Sequence, residues 1–170
     1  MKLPAQITAL LLVSLIGLQA ANVTGNNRPN ILIITADNLG YGDLPSYNPK
    51  TTIKTPNLDR LAAQGVRLTD FHAGATVCTP SRMALLTGAY PPRLGWNGGV
   101  VGYGIKTVNG LAPEARTMGE VFKGAGYKTA LIGKWHLGDT PELHPASQGF
   151  DTTYFIDKSN NQTKKLWRCL

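Results

Sequence analysis

Residues 116–138 read RTMGEVFKGAGYKTALIGKWHLG, and this stretch decides the fold class. Thr117 and Glu120 stand at capping-box spacing, where a hydroxyl and a carboxylate satisfy each other's orphan amides, so a helix is predicted to begin here. Gly124 and Gly126 end it, because glycine tolerates the left-handed backbone that closes a helix. KTALIG then resumes strand character. At the end of that strand lies GKWHLG, where side-chain alternation sends Lys134 and His136 to one face and Trp135 to the other. A fixed positive charge beside an imidazole can hold an oxyanion and move a proton. A lysine and a histidine on a wet strand edge satisfy the same spacing.

Upstream, the pattern continues. ILIIT at 31–35 is a β-branched and leucine run bounded by polar residues, the signature of a strand buried on both faces. TPNLDRLAAQG at 55–65 offers Thr55 as a cap, Pro56 at the first helical position and Gly65 as the stop. VRLTDF at 66–71 reads as a short strand, and the glycine-rich GWNGGVVGYGIKTVNG at 95–110 as a long surface loop without a phosphate-loop pattern. Helix and strand alternate, which implies an α/β layer architecture with a largely parallel sheet and a ligand site beyond the carboxyl ends of its strands.

The chain has 170 residues, 42% apolar and 16% charged, which suits a globular domain. Its formal charge of +7 fits an anionic ligand or simply a basic solvated surface. It opens with MKLPAQITALLLVSLIGLQAAN, where an apolar run from Ile7 to Leu18 is followed by small residues at Ala20 and Ala21. Residues 1–21 are predicted to be a secretory signal peptide and 22–30 a polar linker. The apolar run is too short to span a bilayer, so no stable membrane span is expected, and no nucleic-acid partner either. In an oxidising compartment the two cysteines, Cys78 and Cys169, could pair, and Asn22 and Asn161 head glycosylation sequons.

Two further segments carry chemistry. TADNLGYGD at 35–43 places Asp37 and Asn38 just past the first expected strand, as oxygen ligands for a hard cation or as an ordinary turn. CTPSRMALLTG at 78–88 opens a helix, with Cys78 or Thr79 as the cap, Pro80 in the first turn and Arg82 on the same side as Cys78. A helix entrance favours anions and permits a nucleophilic thiol.

Together these segments resemble the sulfatase family. One signature, C-x-P-S-R followed by T-G, is met by Cys78, Pro80, Ser81, Arg82, Thr87 and Gly88. The other, G-Y-x-T with a downstream G-K-x-x-L-G, is met by Gly126, Tyr127, Thr129, Gly133, Lys134, Leu137 and Gly138. The resemblance covers about Arg28 to Asp151 and implies an alkaline-phosphatase-like α/β sandwich with a mostly parallel central sheet.

It further implies a sulfuric ester hydrolase in which a formylglycine-generating enzyme oxidises Cys78 to formylglycine, excluding a bridge to Cys169. Asp37, Asn38 and the modified Cys78 would hold Ca²⁺. Arg82 would orient the hydrated aldehyde, Lys134 would bind it and the sulfate ester, and His136 would serve its collapse. The family usually has two adjacent acids where this chain has Asp37-Asn38, so weaker calcium binding is expected. Family chains are much longer, and their later part supplies further metal ligands, a second histidine and a second lysine. His144, Lys164 and Lys165 have no matching context for those roles.

Residues 31–170 are thus expected to be the N-terminal portion of a sulfatase domain, poorly stable alone, in a lysosomal, extracellular or periplasmic setting. Two alternatives stand beside this: a non-catalytic secreted short form, and a phosphodiesterase or phosphonate hydrolase with the same nucleophile.

Overall fold

The computed structural model describes residues 28–102, 110–157 and 166–169, so the leader, Asn22 and Asn161 lie outside the described residues. The chain divides into two compact units, Met1–Ala36 and Asp37–Leu170. In the first, residues 31–35 form no strand, and Leu32 and Ile34 are 83% and 80% exposed. The expected buried strand is therefore absent. A β-branched run supplies the side chains for a buried strand, but a strand exists only where a neighbour satisfies its backbone, and no strand pairs with this run among the described residues.

In the second unit the helix expected at 55–65 forms as α1, Pro56–Gln64, between Thr55 and Gly65. Asp59 anchors it, accepting from the Thr55 hydroxyl at 3.3 Å and from the Ser46 amide at 3.1 Å. Residues 66–71 do not form the expected strand: Val66, Leu68 and Phe71 are exposed, and Asp70 and His72 pair across a turn at 2.9 Å. Next comes α2, Cys78–Thr87, closed by Gly88 in the left-handed region (φ 68°), whose amide donates to Ala84 O at 2.9 Å. That backbone explains the glycine of the T-G pair.

The segment at 116–138 folds as read. Thr117 caps α3, Met118–Gly124, with both halves of the capping box made: Glu120 N donates to Thr117 Oγ1 at 3.2 Å and Thr117 N to Glu120 Oε2 at 2.7 Å. The strand β1, Ala130–Lys134, then pairs in parallel with β2, Thr152–Ile156, in the register Ala130↔Thr152 to Lys134↔Ile156. The crossover between them uses two short 3₁₀ turns, Pro141–Leu143 and Pro145–Gln148, in place of an α-helix. β3, Leu166–Cys169, pairs antiparallel to β2, so the sheet is mixed, in the order β1-β2-β3, where a largely parallel one was expected.

The core packs Met83 of α2, Trp96 and Val101 of the glycine-rich segment, Leu111, Trp135, Leu137, Phe150 and Phe155. The described part of the 95–110 segment is thus partly a core element, because Trp96 and Val101 are buried. Gly138 (φ 135°) is forced at its position, since a Cβ there would lie 2.4 Å from Leu143 Cβ.

Asp151 fastens α3 to the sheet. It accepts from Lys123 Nζ at 2.8 Å and from the Thr129 amide and hydroxyl at 3.0 and 3.2 Å. The Lys123 bond and then the Thr129 amide hold its carboxyl at about 2, below the ordinary 3.8. A depressed acid contributes stability that is fully present above its unfolded pKa and is lost as pH falls through the folded one. The unfolding midpoint should therefore fall between about pH 4 and pH 2. Asp151→Asn should flatten that limb in denaturant titrations across the interval.

Candidate active site

The chemistry-bearing residues of the second unit meet where the entrance of α2 abuts the end of β1. The N-cap is Val77, extended at φ −128° and ψ 161°, and Cys78 is the first helical residue, one position further in than a capping role would put it. Val77 has no side-chain acceptor, yet its carbonyl takes the first helical bond from Ser81 N at 3.1 Å. Cys78 is half-buried and carries a free thiol, so no bridge to Cys169 is formed.

Arg82, one turn along α2, reaches out of the helix in two directions. Its Nη1 donates to the Lys134 carbonyl at 2.7 Å, and its Nη2 meets Asp37 Oδ2 at 3.3 Å. Lys134 Nζ donates to the same Asp37 oxygen at 2.7 Å. One carboxylate thus serves two cations, and residues 45 and 97 positions from Asp37 are gathered around it. The Lys134 bond chiefly holds the Asp37 carboxyl below the usual range, against a partly opposing burial. The net balance of the trio is one positive charge.

His136 is 1% exposed and adopts a left-handed backbone (φ 57°), which is uncommon outside glycine. The wet-edge alternative therefore fails for it. Burial lowers its pKa below the ordinary 6.5; Lys134 and Arg82 lower it further, while the Val101 carbonyl and Asp37 oppose. Trp135 turns into the core and donates Nε1 to the Leu143 carbonyl at 2.8 Å; because β1 ends at Lys134 and His136 is left-handed, the expected alternation does not extend to His136, which is buried like Trp135. Among the described residues His136 Nδ1 and Arg82 Nε are buried without hydrogen-bond partners.

Thr79 was missed by sequence reasoning. Fully buried, it donates to the His136 carbonyl at 2.9 Å and accepts from Val101 N at 3.0 Å. It occupies the variable position of C-x-P-S-R, and its acceptor is a backbone carbonyl 57 residues away, so no local pattern announces it.

Asn38 lies exposed in a turn at φ 68°, a conformation asparagine tolerates better than most residues. Asp37 and Asn38 are donors of the kind calcium prefers, but calcium takes six to eight oxygens. Among the described residues no three His, Cys, Asp or Glu side chains cluster as a metal site. The pair fits as part of a calcium shell and does not make a whole one. Beside the helix entrance lies a groove of about 910 Å³, lined by Val77, Pro80, Tyr90, Pro92, Trp96 and Val100 among others.

The family model for Sulfatase matches residues 29–169. The chain belongs to the sulfatase family. It is 48% identical over 135 residues to arylsulfatase G of Rattus norvegicus, covering 79% of this chain and 25% of that protein. It is 50% identical over 141 residues to steryl-sulfatase of Mus musculus, covering 78% and 22%. To human arylsulfatase A it is 47% identical over 146 residues, covering 84% and 28%. The solved structure of PsFucS1 sulfatase from Pseudoalteromonas sp. superposes with a TM-score of 0.67 at 32% identity, covering 94% of this chain and 31% of that one. The chain spans about a quarter of the length of the curated relatives it matches. Its α/β architecture is that of the sulfatase structures, and both signatures lie within the matched span.

A lysine at position 82 could not reproduce the guanidinium fork. Arg82→Lys should leave either the Lys134 carbonyl or the Asp37 contact unmade and lower stability by about 1–2 kcal/mol, read from the denaturant midpoint.

Proposed function

We propose that this chain carries the nucleophile-bearing part of a sulfuric ester hydrolase, with residues 31–170 as the N-terminal portion of its catalytic domain. The carrying observation is the convergence of Arg82, Lys134 and Asp37 at the end of β1, beside the helix that opens with Cys78. Its net positive charge suits a sulfate ester, and the orphaned Arg82 Nε is a donor still without an acceptor. Residues 1–21 act as the secretory leader, and Asn22 and Asn161 as glycosylation sites, of a product made in the secretory pathway.

In this reading Cys78 is the residue that the formylglycine-generating enzyme converts to formylglycine. The hydrated aldehyde would supply two hydroxyls on one carbon, a nucleophile for the sulfate ester and a second hydroxyl through which the bound sulfate could be released. Asp37 and Asn38 would hold Ca²⁺, with position 78 as a further ligand; the ion would supply charge neutralisation and polarisation of the sulfate oxygens.

This chain's own residues do the positioning. The first turn of α2 holds position 78 at a helix entrance whose free amides favour an anion. Lys134, fixed through Asp37, presents a cation to the sulfate. Arg82 locks the end of β1 against α2 and keeps that cation in place. Burial lowers the pKa of His136 and so favours the neutral imidazole, the form that can accept a proton from the group at position 78.

A second reading, a non-catalytic role for the 170-residue chain, is favoured by the exposed apolar side chains of Ile31–Ile34 and of Ile132. An aryl sulfate assay of the purified secreted chain separates the two. A phosphate ester in parallel distinguishes the phosphodiesterase alternative.

Cys78→Ala should abolish aryl sulfate turnover in whichever form is active. Cys78→Ser should give one sulfate transfer at most, seen as a stoichiometric burst. An unmodified thiol at position 78 in active secreted protein, found by peptide mass spectrometry, would overturn the reading. Asn38→Asp restores a second carboxylate to the metal pair and should tighten calcium binding by about tenfold, measured by isothermal titration.

A further inference from the structure

Three buried groups close a ring of hydrogen bonds behind the candidate site. Thr79 Oγ1 donates to the His136 carbonyl at 2.9 Å, the Val101 amide donates to Thr79 Oγ1 at 3.0 Å, and His136 Nε2 meets the Val101 carbonyl at 3.1 Å. Thr79 is 0% exposed, and Val101 and His136 are buried with it. They come from the first turn of α2, from the glycine-rich segment and from the residues just past β1.

The ring has a chemical consequence. A carbonyl oxygen can only accept, so the bond to Val101 requires His136 Nε2 to carry the proton. In the neutral imidazole the other nitrogen, Nδ1, then keeps its lone pair. Nδ1 is the atom that is buried without a partner. The hydroxyl of Thr79 is likewise committed in both directions: its proton goes to the His136 carbonyl and its lone pair takes the Val101 amide. It therefore fixes the height of the Val101 peptide against His136. It also holds the backbone of His136 itself, which sits at φ 57° and needs its surroundings to keep it there.

We propose that Thr79 is a positioning residue for His136: by clamping Val101 and the His136 backbone, it holds the imidazole as the Nε2–H tautomer and leaves Nδ1 as the atom offered to the reacting group. This rests on the reading of His136 as the proton acceptor, but the clamp itself can be measured without turnover.

The test uses the full 170-residue chain labelled with ¹⁵N-histidine. Two-bond ¹H–¹⁵N spectra of the unsubstituted protein should show His136 as a single Nε2–H tautomer; a protonated Nδ1 with a bare Nε2 would overturn the proposal before any variant is made. Thr79→Val keeps the shape and removes the hydroxyl. It should mix the tautomers and speed exchange of the Val101 amide by at least about tenfold, whereas Thr79→Ser should retain the original tautomer and protection. An unchanged tautomer and unchanged exchange in Thr79→Val refute the clamp, and so does their loss in a folded Thr79→Ser chain.

In a preparation that hydrolyses an aryl sulfate, Thr79→Val should lower kcat by about tenfold or more with KM little changed, and Thr79→Ser should recover it. A rise in KM alone would argue against the positioning role. A chain with the clamp intact and no hydrolase activity would instead count against the proposed function and leave the clamp standing.

Discussion

The Arg82 guanidinium is the contact on which the rest of the site depends. It is planar and always charged, so it can satisfy the carbonyl at the end of β1 and the carboxylate of Asp37 from one rigid fork. Three segments that are remote in sequence become one surface because that fork spans them. Asp37 completes the arrangement by drawing Lys134 to the same oxygen. Arg82 and Lys134 are largely shielded from water, so the pairing holds their positions more firmly than a fully exposed ion pair would.

What was legible in the sequence was what local chemistry can encode. The capping box at Thr117 and Glu120 is formed as read because both of its partners lie within one turn. Pro56 and Gly65 bound a helix where they were expected to. Lys134 and Trp135 part company because a strand alternates. Even the placement of Cys78 near a helix entrance followed from Pro80, with an error of one position, since Val77 caps without a side-chain acceptor.

What escaped was what needs a distant partner. ILIIT and VRLTDF have strand composition, yet neither forms a strand among the described residues, because hydrogen-bonding neighbours are a property of the tertiary fold. The antiparallel β3 and the 3₁₀ crossover were equally invisible, since neither is a helix-strand unit. Thr79 carries no signal at all: its partners are a backbone carbonyl and a backbone amide, and any sequence contains those everywhere.

The electrostatics of the site divide the work between two neighbours on one short segment. Lys134 lies against a carboxylate, its Nζ 2.7 Å from Asp37 Oδ2. His136, two residues on, is pushed towards neutrality because it is buried and because Lys134 and Arg82 are close enough to disfavour a further positive charge. A fixed cation and a neutral base could not be had from the same side chain, nor from two side chains in the same environment. The turn past β1 produces the difference: Lys134 reaches the half-exposed Asp37, whereas the left-handed backbone at His136 carries the imidazole into the interior, against the Val101 carbonyl. The spacing of lysine and histidine in GKWHLG therefore places two neighbouring side chains in different environments, one against a carboxylate and one buried against a backbone carbonyl.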